Sequence, residues 1–191
     1  MKLSKLTPEL FYHLYQDIVE FRTTFDLPVA QPINLDEDAD KLHTSLAIEE
    51  LTELAEAIDI VEQADAIVDT VYVLMGRLVH LGMDNIESNI GINYLIDLLL
   101  NVAENRNIDF VPCWDEVHHS NMSKVCKSLP EYQKTEVFYA KKGITIAPSK
   151  KGTYIIAKCE KDYIGSEKTI RKGKVLKSVN YQPANLAQFF N

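Results

Sequence analysis

SLAIEELTELAEAIDIVEQADAIVDTVYVLMGRLVHL, residues 45–81, is the stretch that decides the fold. Its apolar residues recur at helical spacing. It reads as two consecutive helices, the first carrying Glu49, Glu50 and Glu53 and the second Glu62, Asp65 and Asp69. A short connection favours antiparallel packing, which turns two rows of carboxylates toward each other. At about 4 Å and an effective dielectric of roughly 20, each facing like-charged pair costs on the order of 4 kcal/mol. Such a row calls for a divalent cation. Oxygen-only donors suit Mg²⁺, with Mn²⁺ as the substitute, rather than zinc. Magnesium held this way keeps waters and open positions for phosphate groups, which points to nucleotide chemistry.

A solvated acidic face is the plainer reading, and helical phase weighs against it. On the first helix Ala47, Ile48, Leu51, Leu54, Ala55 and Ile58 form the apolar face, Glu49, Glu53 and Glu56 lie opposite, and Glu50 sits at the edge beside Leu54. On the second, Ile67, Val68, Val71, Leu74, Met75 and Leu78 form the main apolar face, yet the acidic side also carries Tyr72, Val73 and Gly76. Residues 70–76, TVYVLMG, are apolar nearly all round. Asp69 is therefore expected to enter an interior, where a carboxylate must be paired or bind metal.

Outward from this pair, Thr7-Pro8-Glu9 supplies an N-cap, a first-turn proline and an acid for a helix through Phe25, with Leu10, Phe11, Leu14, Ile18 and Phe21 at helical spacing. Two prolines make residues 27–33 an extended connection, after which Asn34-Leu35-Asp36-Glu37 starts the first acidic helix, which also holds His43. Residues 59–62 form the turn between the acidic helices, and Gly82 closes the second. Residues 85–101 form a fourth helix burying Ile92, Leu95, Ile96, Leu99 and Leu100; Gly76 reads as close helix packing. WDEVHHSNMSK, residues 114–124, is too hydrophilic for a core helix and is expected to turn a polar face toward the acidic site. Residues 153–159 and 173–178 are β-prone and would pair as a hairpin, with a closing helical turn at 183–190. The expectation is an all-α protein: an antiparallel four-helix-bundle-like domain over 1–130 and a basic extension over 131–191, with a β-hairpin, packed on it.

Composition is that of an ordinary globule, with 46% hydrophobic and 25% charged residues. No apolar run reaches the roughly 20 residues of a membrane span, and no leader pattern is seen, so a cytoplasmic location is expected. Cys113, Cys126 and Cys159 form no CxxC and read as reduced structural thiols. The net charge of -8 is uneven: residues 1–120 hold 6 Lys+Arg against 23 Asp+Glu, and 121–191 hold 14 against 5. The overall negative charge argues against general polynucleotide binding.

EELTE at 49–53 resembles the EExxE signature of the all-α nucleoside triphosphate pyrophosphohydrolases, the superfamily of MazG, the dimeric dUTPases and phosphoribosyl-ATP pyrophosphatase. DAIVDTVYVLMG at 65–76 is similar to its second signature, and EVHHSNMSK with GKVLKSVNYQPANL resembles a phosphoribosyl-ATP pyrophosphohydrolase-like subgroup of the MazG-like proteins. The resemblance covers residues 36–125 and, more weakly, the tail. It implies Mg²⁺-dependent hydrolysis of a nucleoside triphosphate between the α and β phosphates, in a homodimer or homotetramer. It makes Glu50, Glu53 and Asp69 metal ligands and Glu49 a ligand or a base just behind them. The usual second motif is ExxD, and Ala66 stands three residues before Asp69, so the missing carboxylate falls to Asp65 or, in its place, Glu62. Asn121 and Lys124 would hold the phosphates, with Lys174 and Lys177 as weaker candidates. Tyr72 and Trp114 are possible base contacts, for which core packing is the simpler reading.

Two other classes compete. A ferritin-like di-metal bundle needs two ExxH motifs, and residues 116–119 supply one. A non-catalytic helical module would use the basic tail to bind an acidic partner.

Overall fold

The computed structural model describes residues 2–32, 35–165 and 169–190. Six helices and a small C-terminal β region make an all-α core with a β extension: α1 Pro8–Thr24, α2 Glu37–Glu56, α3 Ile60–Leu81, α4 Ile90–Asn105, α5 Phe110–Met122 and α6 Leu129–Ala140, then β1 Ile146–Lys151, β2 Tyr154–Cys159, β3 Tyr163–Ile164, β4 Thr169–Ile170 and a 3₁₀ turn at Leu186–Phe189. None of these helices is long and apolar enough to cross a membrane. The chain divides into two compact units, one of Met1–Thr23, Pro28–His118 and Ala184–Asn191, the other of Thr24–Leu27 and His119–Pro183.

In the first unit α3 is the central helix. Ile67, Val68, Val71, Met75, Leu78 and Val79 are fully buried, and they share a core with Phe11, Leu14 and Ile18 of α1, Ile96 and Leu100 of α4, and Cys113 and Trp114 of α5. Its ends are set locally. Asp59 accepts from the Val61 and Glu62 N–H groups, both at 2.9 Å, and Gly82 closes the helix at φ 71 with its N–H on the Leu78 and Val79 carbonyls. A side chain there would be strained and would meet Ala30 at 3.2 Å. The connection after α1 satisfies further end carbonyls, since Ala30 donates to Val79 (2.9 Å) and Gln31 to His80 (2.8 Å). Asp36 caps α2 through the Ala39 N–H; Asn34, expected in that start, and Ile33 lie outside the described residues.

Gly76 does not answer to space. A Cβ there would meet Arg22 Nη1 at 3.7 Å, an ordinary contact, so the close-packing reading is corrected. Glycine inside a helix costs about 0.5–1 kcal/mol relative to alanine. Gly76→Ala should therefore stabilise the protein by up to about 1 kcal/mol, read as a higher urea midpoint at unchanged slope.

The inter-helix turn is residues 57–59, and Glu62 already lies in the first turn of α3. The fourth helix starts five residues later than expected: Asn85 folds a turn by accepting from the Glu87 N–H and the Ser88 hydroxyl, and Asn89 caps the helix through the Ile92 N–H. Leu95, expected in the core, is 52% exposed. Instead α4 buries Asp97, which accepts from the Ser4, Lys5 and Leu6 N–H groups and holds the N-terminal segment. Burial pushes its carboxyl up, and the combined hydrogen bonds outweigh this and leave it below the usual range.

The segment expected to be too hydrophilic for a core does enter it: Trp114 is wholly buried, with Cys113 and Val117 beside it. The apolar face of α2 is the reverse case. Of α2 only His43 is buried, and Ile48 (60% exposed) and Leu51 face water, as does Ile58 (88%) beyond its end.

The second unit has its own core of Cys126, Tyr132, Tyr139, Ile144, Ile146, Ile155, Ala157, Cys159, Ile170 and Leu176. The hairpin partner of β2 is β1, antiparallel with Ile146 opposite Cys159, not residues 173–178, which add one bridge at Val175 to Lys158. Pro148 sits in β1, which pairs on one side only, as a strand proline must. The three thiols are buried and unbridged, and burial raises each, Cys113 to about 11.

Candidate active site on the paired acidic helices

The direction of α2 against α3 follows from two contacts. Asp40 Oδ1 lies 2.7 Å from Arg77 Nη2, and the His43 and His80 rings meet at 3.2 Å, so the start of α2 lies beside the end of α3. The three-residue turn joins their other ends, and the helices are antiparallel. Stepping inward from the two contacts at equal rise brings Glu50 level with residues 67–73 and Glu53 level with 64–70. Asp69 therefore lies level with both glutamates along the shared axis, and Asp65 level with Glu53 alone.

Burial grades this acidic set. Glu49, Glu50 and Asp69 are half-buried, while Glu53, Asp65 and Glu62 are exposed. Asp69 is thus at the margin of the interior rather than inside it. Glu62 has other work: its carboxylate accepts from the Ile58 N–H at 2.8 Å while its own N–H donates to Asp59 Oδ1, which ties down the start of α3.

Tyr72 is buried in the first-unit core, with its ring edge-on to Phe21 (5.4 Å) and its hydroxyl 3.0 Å from His118 Nδ1. Trp114 packs between Tyr72 and Phe110 and donates from Nε1 to Asp17 Oδ2 at 2.7 Å. No indole face is left for a base. The polar residues at this end of α5 turn to α1, not to α2: Asp115 approaches His13 (3.4 Å) and His118 approaches Glu20 (3.3 Å).

The expected phosphate contacts belong to the second unit. Asn121 is buried and Lys124 half-buried, with the Lys124 carbonyl accepting from the Ser178 N–H. Lys177 Nζ lies 4.4 Å from the Tyr181 ring centroid, and the Lys174 carbonyl accepts from the Cys159 N–H.

One further polar group lies outside the residues that the spacing marks. His13, Asp17 and Glu20 repeat at i, i+4 and i+7 on α1, which puts them on one face, and they meet Asp115 and His118 of α5. The spacing was visible; the partners, about 100 residues away, were not.

Residues 18–88 match the family model described as phosphoribosyl-ATP pyrophosphohydrolase, which belongs to the MazG-like nucleoside triphosphate pyrophosphohydrolase superfamily. Members of that family are pyrophosphohydrolases, hydrolases acting on acid anhydrides. The matched segment runs from α1 to the turn before α4 and holds every acidic residue of the α2–α3 pair. No curated protein and no solved structure matches the chain.

Proposed function

We propose, with the pyrophosphohydrolase match over residues 18–88 as the premise, that the chain hydrolyses a nucleoside triphosphate between its α and β phosphates, giving monophosphate and pyrophosphate. The observation that carries this reading is the coincidence of the matched segment with two antiparallel helices that both carry carboxylates.

The donor set fits Mg²⁺, with Mn²⁺ as a substitute. It is all carboxylate oxygen, with Glu50 and Asp69 partly withdrawn from water and Glu53 and Asp65 open to water and phosphate. Glu50, Glu53, Asp65 and Asp69 would hold the ion. Bound there, the ion would neutralise phosphate oxygens and acidify a coordinated water. Glu49, half-buried beside Glu50, takes the proton of the attacking water as oxygen adds to phosphorus and the anhydride bond breaks. Asp65 is preferred to Glu62 because it stands one helical turn before Asp69, whereas Glu62 lies at the start of α3, where its carboxylate accepts from the Ile58 N–H.

The same reading includes self-association as a homodimer or homotetramer. Ile48, Leu51 and Ile58 form an apolar stripe in water that a second copy would cover.

The test is a panel of canonical and modified nucleoside triphosphates with Mg²⁺, with pyrophosphate resolved from orthophosphate. Monophosphate and pyrophosphate should appear in equal amounts and vanish with chelator. Orthophosphate with diphosphate, or no turnover of any nucleotide, overturns the reading.

A further inference from the structure

A second set of metal-type donors lies in the first unit, on helices the proposed chemistry does not use. Asp17 and Glu20 of α1 and His118 of α5 bring one ligand atom each to within 4.8 Å of one another. Their environment orients them. Asp17 Oδ2 is fixed by the indole N–H of the wholly buried Trp114 at 2.7 Å. The Nδ1 of His118 meets the Tyr72 hydroxyl at 3.0 Å, which directs Nε2 at Glu20 Oε2, 3.3 Å away. An imidazole whose far nitrogen is held, beside a carboxylate that is itself hydrogen-bonded, is the arrangement that surrounds protein-bound transition metals. His13 stands beside Asp17 and Asp115, its Nε2 3.2 Å from Asp17 Oδ2 and 3.4 Å from Asp115 Oδ1. Three carboxylates thus gather in one seam, and among the described residues no lysine or arginine pairs with them. Each pair of such charges is costly without a cation between them.

We propose that the seam between α1 and α5 binds one divalent transition-metal ion through Asp17, Glu20 and His118 Nε2. The nitrogen donor sets it apart from the all-oxygen α2–α3 set and selects zinc- or cobalt-like ions over magnesium. The ion pins α1 to α5 and, through Tyr72, braces the α3 backbone one turn beyond Asp69. This inference goes beyond the pyrophosphohydrolase reading and stands if no nucleotide is ever hydrolysed.

The test titrates the chelator-stripped full chain with Co²⁺ and Zn²⁺ in the absence of nucleotide. Cobalt should give a visible absorption band that saturates at one equivalent and is displaced by Zn²⁺, and Zn²⁺ should raise Tm. Glu20→Gln and His118→Gln, checked for native far-ultraviolet dichroism, should each weaken binding at least tenfold and lose the Tm rise. Glu50→Gln with Asp69→Asn should leave binding within about twofold. Absence of the band, a band insensitive to both α1–α5 variants, loss only in the α2–α3 double variant, or loss only in His13→Gln would each overturn the assignment.

Discussion

Asp69→Asn should lower Mg²⁺-dependent pyrophosphate release at least about 100-fold, the equivalent of about 2.7 kcal/mol in the barrier, with the fold intact. The substitution conserves size and keeps an oxygen acceptor, and Asp69 is half-buried between the buried Val68 and Thr70 of a helix whose caps lie elsewhere. What it removes is one negative charge of the set proposed to hold a dication. Part of the loss should be recovered at high Mg²⁺, because weaker ion binding raises the concentration needed, whereas a misplaced base would give a loss that added ion does not touch. Asp38→Asn, an exposed acid in the first turn of α2, controls for charge alone and should act like the parent chain. Asp65→Asn should cost more activity than Glu62→Gln, because Asp65 stands one helical turn before Asp69 and Glu62 two turns before it. An Asp69→Asn protein that hydrolyses at the parent rate would move the chemistry off the α2–α3 pair.

The spacing of residues 45–81 contained the two acidic helices because their ends carry strong local signals: Asp59 at one start, Gly82 at the other end, and an apolar face on α3 that faces the core. Local signals also hide things. α6 opens with Ser128, Leu129, Pro130 and Glu131, and Glu131 donates its N–H to Ser128 Oγ while accepting from the Lys127 N–H, a recognisable helix start that lies outside the sequence expectations. Its periodicity is blurred because Leu129, Val137 and Phe138 are exposed while Glu131 and Thr135 are buried. α5 departs from its expected exposure for a related reason. Its polar residues are satisfied inside the fold, Ser120 donating to the Gln182 carbonyl and His118 bonded to Tyr72, so polarity did not mean exposure. The partner of β2 was illegible because β1, IAPSKK, has little β-type composition; the backbone pairing, not the side chains, makes it a strand. As for the candidate site, spacing could place Glu50, Glu53, Asp65 and Asp69 on helix faces. It could not say how deep they sit, because depth is set by what covers α2, and the apolar stripe of that helix faces water in a single chain.

Lowering the pH from 7 to 4.5 should cost the fold about 2.5 kcal/mol through one histidine. His43 is the buried residue of α2, against His80 of α3. Burial is the main reason its imidazole resists a proton; Arg22, His80 and Arg77 add to this, Asp40 opposes it, and its pKa is pushed down to about 3. In the unfolded chain the same side chain takes a proton near pH 6.5. The unfolded state therefore binds more protons between those values, and stability falls as pH falls through that window. The contribution is complete above about pH 6.5 and exhausted near pH 3, with a limiting slope of about 1.4 kcal/mol per unit. Carboxylates such as Asp97, held low in the folded state, begin to matter only below about pH 4, so the two sources separate along the pH axis. Urea midpoints measured at half-unit steps should drop from pH 6.5 downward in the parent chain. His43→Gln, which keeps a donor for His80 and cannot be protonated, should be flat between pH 6.5 and 4.5 whatever its midpoint at pH 7. A parent chain as stable at pH 5 as at pH 7, or a His43→Gln chain with the same slope, would show that the histidine pair between the start of α2 and the end of α3 is not what limits the fold in acid.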